Sequence, residues 1–172
     1  MDRGHDCLAE RQVVLATAEE PFHFIDSGLP NVYLIGIQYF PCSCGRVTAE
    51  IPAIKQLLEL IAKDLIEKPE ALTGDEVRFL RKRLGKKAKD FAAEVGIEPE
   101  TFSRIENGRM PIAEQTDKLI RACYLLNTDS RYVEHMRKAL LEVLKSWKEG
   151  PQPGAKIVAK VTNNEWASSR AA

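Results

Sequence analysis

The residues with the clearest chemical potential lie in the segment EPETFSRIENG, which covers residues 98–108. Pro99 suits the first turn of a helix, and the final glycine is placed to end one. Phe102 and Ile105 must face the core, so that Arg104 points outward. A guanidinium there can bridge O6 and N7 of guanine in a bidentate pair. The segment therefore predicts a helix that reads bases in the major groove of DNA.

This predicted helix and its flanks offer further contacts to DNA. The outward positions besides Arg104 that can face base edges are Pro99, Glu100 and Ser103. Cationic, hydroxyl and amide side chains nearby are candidates for phosphate contacts, which fix the register of a protein on DNA without reading sequence. These candidates are Lys86, Lys87, Lys89, Thr101, Asn107 and Arg109.

A run of cations precedes the predicted recognition helix. Residues 78–89 contain seven basic side chains and no acidic one: Arg78, Arg81, Lys82, Arg83, Lys86, Lys87 and Lys89. The formal net charge of the chain is zero, so the chain as a whole has no electrostatic preference for nucleic acid. Local charge is what meets a phosphate backbone, and the run favours DNA as the partner. The alternative is a solvated basic face on a helical bundle.

The helices around this segment have the spacing of a helix-turn-helix. Thr73 and Glu76 have the separation of a capping box, and KKAKDFAAEVG at residues 86–96 predicts a helix that ends at a glycine turn, directly before the recognition helix. A fourth helix is predicted after Pro111, with Leu119, Ile120, Cys123 and Leu126 buried. A fifth is predicted from about residue 129 to 147, with an apolar stripe of Val133, Met136, Leu140, Val143 and Leu144.

The segment LTGDEVRFLRKRLGKKAKDFAAEVGIEPETFSRIENGRMPI resembles the Cro/repressor (Xre-type) helix-turn-helix family, and within it the MqsA-type antitoxins. The resemblance is specific over residues 72–126 and looser over FHFIDSGLPNVYL, which resembles the amino-terminal module of that group. It implies a lambda-repressor-like domain, dimeric operator binding and a base-facing Glu100, whose carboxylate would accept from cytosine N4. Relatives usually have Gln at the position of Ala88, and here the neighbouring lysines are expected to replace it.

The amino-terminal part of the chain predicts a small antiparallel sheet. Residues 22–26, 31–40 and 46–51 are rich in β-branched and aromatic side chains and are separated by turn residues. Tyr33, Tyr39 and Phe40 are expected either to contact a partner protein or the other subunit, or to pack against the following helix. That helix is marked by Ile54, Leu57, Leu58, Ile61 and Leu65 on one face.

His23, Cys42 and Cys44, with Cys7 as a fourth candidate, are ligand types that zinc prefers. The MqsA-type module closes its zinc site with two Cys-x-x-Cys pairs, and both pairs are missing here. The sequence therefore favours a degenerate zinc-finger-like sheet without cofactor, with structural zinc as the alternative.

Other functional classes have little support in the sequence. The three histidines, His5, His23 and His135, lie in separate segments without a nucleophile motif or a phosphate loop, so an enzyme is not expected. No leader or membrane-spanning stretch is recognisable, and the few cysteines fit a reducing compartment, which predicts a cytoplasmic protein.

Together these patterns predict a mainly α fold. Residues 1–52 form the β-rich module, residues 53–69 a linker helix, residues 70–149 the five-helix DNA-binding domain, and residues 150–172 a tail that is a strand, an arm or disordered. The predicted function is transcriptional repression at a palindromic operator as a homodimer, with the helix at 130–147 as the interface. The alternative is an antitoxin that neutralises a toxin through the amino-terminal module and represses its own operon.

Overall fold

The computed structural model describes residues 13–42, 44–147 and 156–171. Within them the chain forms six α-helices and seven β-strands. The strands are β1 (Val14–Leu15), β2 (Phe22–His23), β3 (Val32–Ile35), β4 (Gln38–Pro41), β5 (Val47–Glu50), β6 (Lys156–Thr162) and β7 (Glu165–Ala171). The helices are α1 (Ile54–Glu67), α2 (Gly74–Arg83), α3 (Ala88–Val95), α4 (Pro99–Glu106), α5 (Glu114–Asn127) and α6 (Val133–Ser146).

The expected mainly α, five-helix architecture is wrong, because the fold has 48% helix and 19% strand, with the strands in two sheets. β1, β4 and β5 form an antiparallel sheet, whereas β2, β3, β6 and β7 form a mixed sheet in which β3 and β6 run parallel. The predicted strand at 31–40 is divided between these sheets at Gly36, which has a φ of 84°. A Cβ there would lie 2.7 Å from the carbonyl oxygen of Val161, so only glycine fits.

The strands β6 and β7 form a hairpin in the segment that the sequence left open between strand, arm and disorder. Their two-residue loop consists of Asn163 and Asn164, with φ angles of 50° and 64°, as in a type I′ turn. The indole Nε1 of Trp166 donates to the carbonyl oxygen of Pro52 at 2.7 Å, which ties the hairpin to the start of α1. The carboxyl-terminal segment thus completes the sheet that the amino-terminal strands begin. The segment GPQPG at residues 150–154, whose glycines and prolines predict an end of regular structure, lies outside the described residues.

Helix α1 lies at the centre of the fold. It packs against β6 and β7, and also against α2 and α6. Leu57, Ile61, Ala62 and Ile66 are completely buried, which places apolar contacts around most of the helix surface. The helix predicted at this position is confirmed, and it joins the sheet to the helical part of the molecule.

A buried charge network joins the end of α1 to α5. Arg121 is fully buried, and its Nε donates to Asp117 at 2.6 Å. The remaining guanidinium nitrogens donate to main-chain carbonyl oxygens at the end of α1 and after it, namely those of Leu65, Ile66, Lys68 and Glu70. Asp117 in turn accepts from the N–H of Leu72 at 2.6 Å. Every charge in this network is therefore paired, as burial requires.

Because of this network, α5 buries a different face from the one that its apolar pattern predicts. Leu119 and Leu126, which the apolar pattern assigns to the core, are 48% and 81% exposed. Asp117 and Arg121 occupy the buried face together with Ile120 and Tyr124, because the carbonyl groups at the carboxyl-terminal end of α1 need donors and the N–H of Leu72 needs an acceptor there. The stripe predicted on α6 is confirmed for Met136, Leu140 and Val143, and it packs towards α1 and α5.

The start of α2 also agrees with the sequence. Thr73 and Glu76 form the predicted capping box, and Glu76 additionally accepts from the ammonium of Lys68 at 2.5 Å in a buried ion pair. Among the described residues, none of the helices has the length and apolar character that crossing a bilayer requires.

We expect Arg121→Ala to destabilise the protein by about 3–5 kcal/mol, because it leaves the buried Asp117 carboxylate without its counter-charge and several buried carbonyl groups without donors. Chemical denaturation at neutral pH measures this loss. The control is Lys118→Ala in the same helix, which removes a partly exposed ion pair with Glu114 and should cost about 0.5 kcal/mol or less. Equal losses for the two variants would contradict the central role of Arg121.

Candidate nucleic-acid interface

Helices α3 and α4 are joined by a tight turn at Gly96. The φ of Gly96 is 75°, its N–H donates to Ala93 O at 3.2 Å, and the N–H of Ile97 donates to Ala92 O at 3.0 Å. This Schellman arrangement closes the end of α3 and lets α4 begin at Pro99 after only three residues. The chain therefore has two short helices joined by the glycine turn that the sequence predicts.

The buried face of α4 packs on α3 through aromatic side chains. Phe91 and Phe102 are both fully buried, and their rings meet edge to face at a centroid distance of 5.7 Å. Ile105 is also buried on this face. These contacts fix the rotation of α4 about its axis, and so determine which residues it presents to solvent.

The opposite face of α4 carries the residues predicted to face bases. Pro99, Glu100, Ser103 and Arg104 are all exposed. Within the described residues, the side chain of Arg104 makes no hydrogen bond or ion pair. Its five donors are available to a ligand, which is the state that bidentate recognition requires.

The carboxyl-terminal end of α4 is held by two arginines of α2. Arg81 donates to both carboxylate oxygens of Glu106, at 2.7 and 3.1 Å, and this pair is largely buried. Arg78 donates to Glu106 O at 2.5 Å and to Asn107 Oδ1 at 3.0 Å. Glu106 is thus an anchoring residue that sequence reasoning missed. The available signal was spacing: Glu106 follows Phe102 by four residues, so it falls on the buried face of α4, where a carboxylate needs a cationic partner.

Close backbone contact strengthens this anchor. Gly74 begins α2 directly beside the end of α4, and a Cβ on it would lie 2.7 Å from the carbonyl oxygen of Glu106. A side chain at this position would push the two helices apart. The orientation of α4 is therefore set by its core face, by the arginines of α2 and by a glycine contact.

The predicted phosphate contacts fall into two groups. In the first group, Lys87, Lys89 and Arg109 are exposed, and within the described residues their side chains have no ion-pair partner; Thr101 is half-buried.

The second group is already bonded within the protein. Lys86 is paired with Glu94 and also donates to Asn127 Oδ1 at 3.0 Å. The amide of Asn107 donates to Ser103 O at 2.7 Å while its oxygen accepts from Arg78, so this side chain caps α4.

The basic run at residues 78–89 does not form one surface. Arg78 and Arg81 are turned towards the end of α4, and Lys86 is bound to Glu94. Only Lys87 and Lys89 adjoin the start of α3 as exposed cations. Ala88, at the position where relatives have Gln, is half-buried and packs against the core.

The side chains near α3 and α5 include a thiol that is not reactive. Burial raises the pKa of the Cys123 thiol, and the nearby carboxylate of Glu94 raises it further. The thiol is therefore protonated at neutral pH and acts as a small packing group.

The weak metal candidates do not form one ligand cluster. Cys42 Sγ and Cys44 Sγ lie 3.1 Å apart, whereas His23 Nε2 lies 2.8 Å from Pro30 O and the ring stacks on Tyr33. No group of three or more potential ligands occurs among the described residues. Cys7 lies outside them.

Tyr33, Tyr39 and Phe40 of the amino-terminal module are half-buried. Tyr33 stacks on His23 at a centroid distance of 4.6 Å, and the ammonium of Lys156 lies 4.8 Å from the centre of its ring. Tyr39 packs against Phe22 at 5.2 Å. These contacts join the two tyrosines to side chains of other strands, and the choice between partner binding and packing against α1 stays a prediction.

Comparison with known proteins supports the prediction of a helix-turn-helix in the helical part of the chain. Residues 73–136, which include α2 to α5 and the start of α6, match the model of a family described as a helix-turn-helix domain. Searches of curated proteins and of solved structures found no match to the chain. The MqsA-type resemblance and the zinc-finger-like module gain no support from these comparisons. Residues 73–136 therefore combine the geometry of a helix-turn-helix with a match to a helix-turn-helix domain model.

Proposed function

We propose that the protein is a sequence-specific transcriptional repressor that binds a palindromic operator as a homodimer, with α4 in the major groove. The observation that carries this proposal is the exposed face of α4. That face presents an unpaired Arg104 on a helix whose other side is fixed by the core and by Arg81. A recognition helix must be held rigidly for its side chains to discriminate between bases.

Arg104 is the principal base-reading residue in this proposal. Its guanidinium would donate to O6 and N7 of a guanine, which no other base pair offers in the same arrangement. Glu100 lies one turn earlier and is exposed, and its carboxylate would accept from cytosine N4. Pro99 and Ser103 complete the face that meets the base edges.

Lys87, Lys89, Thr101 and Arg109 are proposed to contact phosphates on either side of α4. The exposed acids Asp90, Glu98 and Glu100 lie close in sequence to these cations and offset part of their charge. Non-specific binding should therefore be weak, and affinity should depend on correct base contacts more than on charge alone. Lys86 and Asn107 position the domain in this proposal, because their side chains are already bonded within the protein.

The homodimer requires a surface other than the one first predicted. The apolar stripe of α6 is covered by α1, which explains its length within a single chain. The outer face of α5 instead exposes Leu119 and Leu126, which lie two turns apart on the same side. We place the contact between two copies on this face, since two half-sites on DNA need two domains held together.

The antitoxin alternative rests on the resemblance to MqsA-type proteins. It shares the DNA chemistry and adds a toxin bound by the amino-terminal module. No contact within the described residues favours it over a regulator without a toxin partner. Co-purification of the protein with a small ribonuclease-like partner would support this alternative.

We expect Arg104→Ala to weaken binding to a preferred DNA duplex by roughly 5- to 150-fold, corresponding to about 1–3 kcal/mol of discrimination. The duplex is first enriched from a random-sequence pool by the wild-type protein, and binding is measured by fluorescence anisotropy. Affinity for an unrelated duplex should change little.

Two matched variants test whether the effect belongs to base reading. Arg137→Ala removes an exposed arginine of α6 and should leave both affinities unchanged. Lys87→Gln should weaken binding to all duplexes alike and reduce the salt dependence by about one phosphate contact. Failure of the wild-type protein to enrich any sequence would overturn the proposal.

Leu126→Glu is expected to convert the dimer into a monomer, because it places a charge in the proposed contact between two copies. Sedimentation measures the mass, and the thermal midpoint should stay within a few degrees, since Leu126 is 81% exposed. Leu141→Glu, at another exposed leucine, is the control and should leave the dimer intact. A wild-type monomer at micromolar concentration would refute the dimer.

A further inference from the structure

A groove with an apolar floor lies between the segment after β2, the start of α1 and helix α2. Phe24 and Phe79 form its floor and are 6% and 5% exposed, and Ile54 and Leu58 add its aliphatic wall. Its volume is about 370 Å³. This value falls within the range of roughly 300–1,000 Å³ that is usual for small-molecule sites.

The rim of the groove has an excess of positive charge. Arg78, Lys82 and Arg83 line it on the α2 side, whereas the acids are Asp26 and Asp75. Asp75 is already paired with Arg78 at 2.9 Å. Lys82 is exposed and makes no ion pair within the described residues, and the buried Nε of Arg83 has no hydrogen-bond partner there. Lys82 thus adds an unpaired cation to the rim, while the guanidinium of Arg83 lies between the groove and the hydroxyl of Tyr124.

We propose that this groove is an effector site for a small organic anion with an apolar body, such as an aromatic or branched aliphatic carboxylate or sulfonate. The apolar part would lie on Phe24 and Phe79, where burial removes it from water. The anionic group would accept from Lys82 and Arg83, and this charge complementarity selects an anion over a neutral or cationic compound. Binding at this site does not depend on the proposed function.

Arg78 connects the groove to the recognition helix. Its side chain lines the groove and also donates to Glu106 O and Asn107 Oδ1 at the end of α4. An anion that attracts this guanidinium competes with those acceptors and loosens the end of α4. Occupancy should therefore weaken DNA binding, and DNA should weaken occupancy by the same factor. This coupling rests on the proposed function.

The first experiment measures binding without DNA, with 8-anilinonaphthalene-1-sulfonate as the probe and the full-length protein. We expect saturable fluorescence enhancement from a single site. The neutral dye N-phenyl-1-naphthylamine has the same aromatic body without the sulfonate, and it should bind roughly tenfold more weakly or not at all.

Two groove variants and two matched controls locate the site. Ile54→Trp fills the groove from an exposed position, and Lys82→Gln removes the free cation; each should weaken binding of the sulfonate dye by roughly fivefold or more. Leu141→Trp and Lys138→Gln make the same changes on the exposed side of α6 and should have no effect. Equal binding by all variants, or preference for the neutral dye, would overturn the proposed site.

The second experiment repeats the DNA titration with the preferred duplex at saturating dye. We expect roughly fivefold weaker DNA binding for the wild-type protein and no change for Ile54→Trp. Unchanged DNA affinity with normal dye binding would overturn the coupling and leave the site in place. If the protein binds no DNA under any condition, the proposed function fails, while the dye titrations still decide the site.

Discussion

The arrangement of the whole molecule depends on the buried guanidinium of Arg121. It supplies donors to the carbonyl groups at the end of α1, where a helix has no internal partners of its own, and it pairs with Asp117 one turn away. Since Asp117 also holds the N–H of Leu72, the connection between α1 and α2 is bonded along much of its length. The sheet packs on α1, so this single side chain sets the position of the helix-turn-helix domain relative to the sheet.

The cations of α2 have two different roles: some bond to another helix of the domain and others line a groove. Arg78 and Arg81 are bonded to the end of α4, while Lys82 and Arg83, together with Arg78, line a groove. Part of the charge that looks like a phosphate-binding surface in the sequence, namely Arg78, Arg81 and Lys86, is therefore structural. What remains for DNA is a small set of exposed cations around α4, with acids among them. Such a surface favours selectivity over strong non-specific attachment.

Local signals in the sequence predicted most of the helical part correctly. The capping box at Thr73, the glycine turn at Gly96 and the buried pair Phe102 and Ile105 depend on neighbouring residues, which a sequence displays directly. The prediction of which face of α5 is buried was wrong, because Arg121 is charged and yet buried, whereas charged residues usually point outward. The mixed sheet was missed because β3 and β6 are far apart in sequence, although Asn163 and Asn164 did mark a hairpin. Which exposed residues touch DNA is a property of the complex, and stays a prediction.

The parallel pairing of β3 with β6 also has a consequence for the order of folding. The entire helix-turn-helix domain lies between these two strands in the sequence, so during synthesis its local contacts are available before β6 has left the ribosome. Until then, the edge of β3 that pairs with β6 and the side of α1 that meets β7 lack their partners. A nascent chain would thus carry a formed helical domain beside an open strand edge, which other chains can join. Slow translation or premature release at this stage exposes the protein to aggregation through its sheet, not through its helix-turn-helix domain.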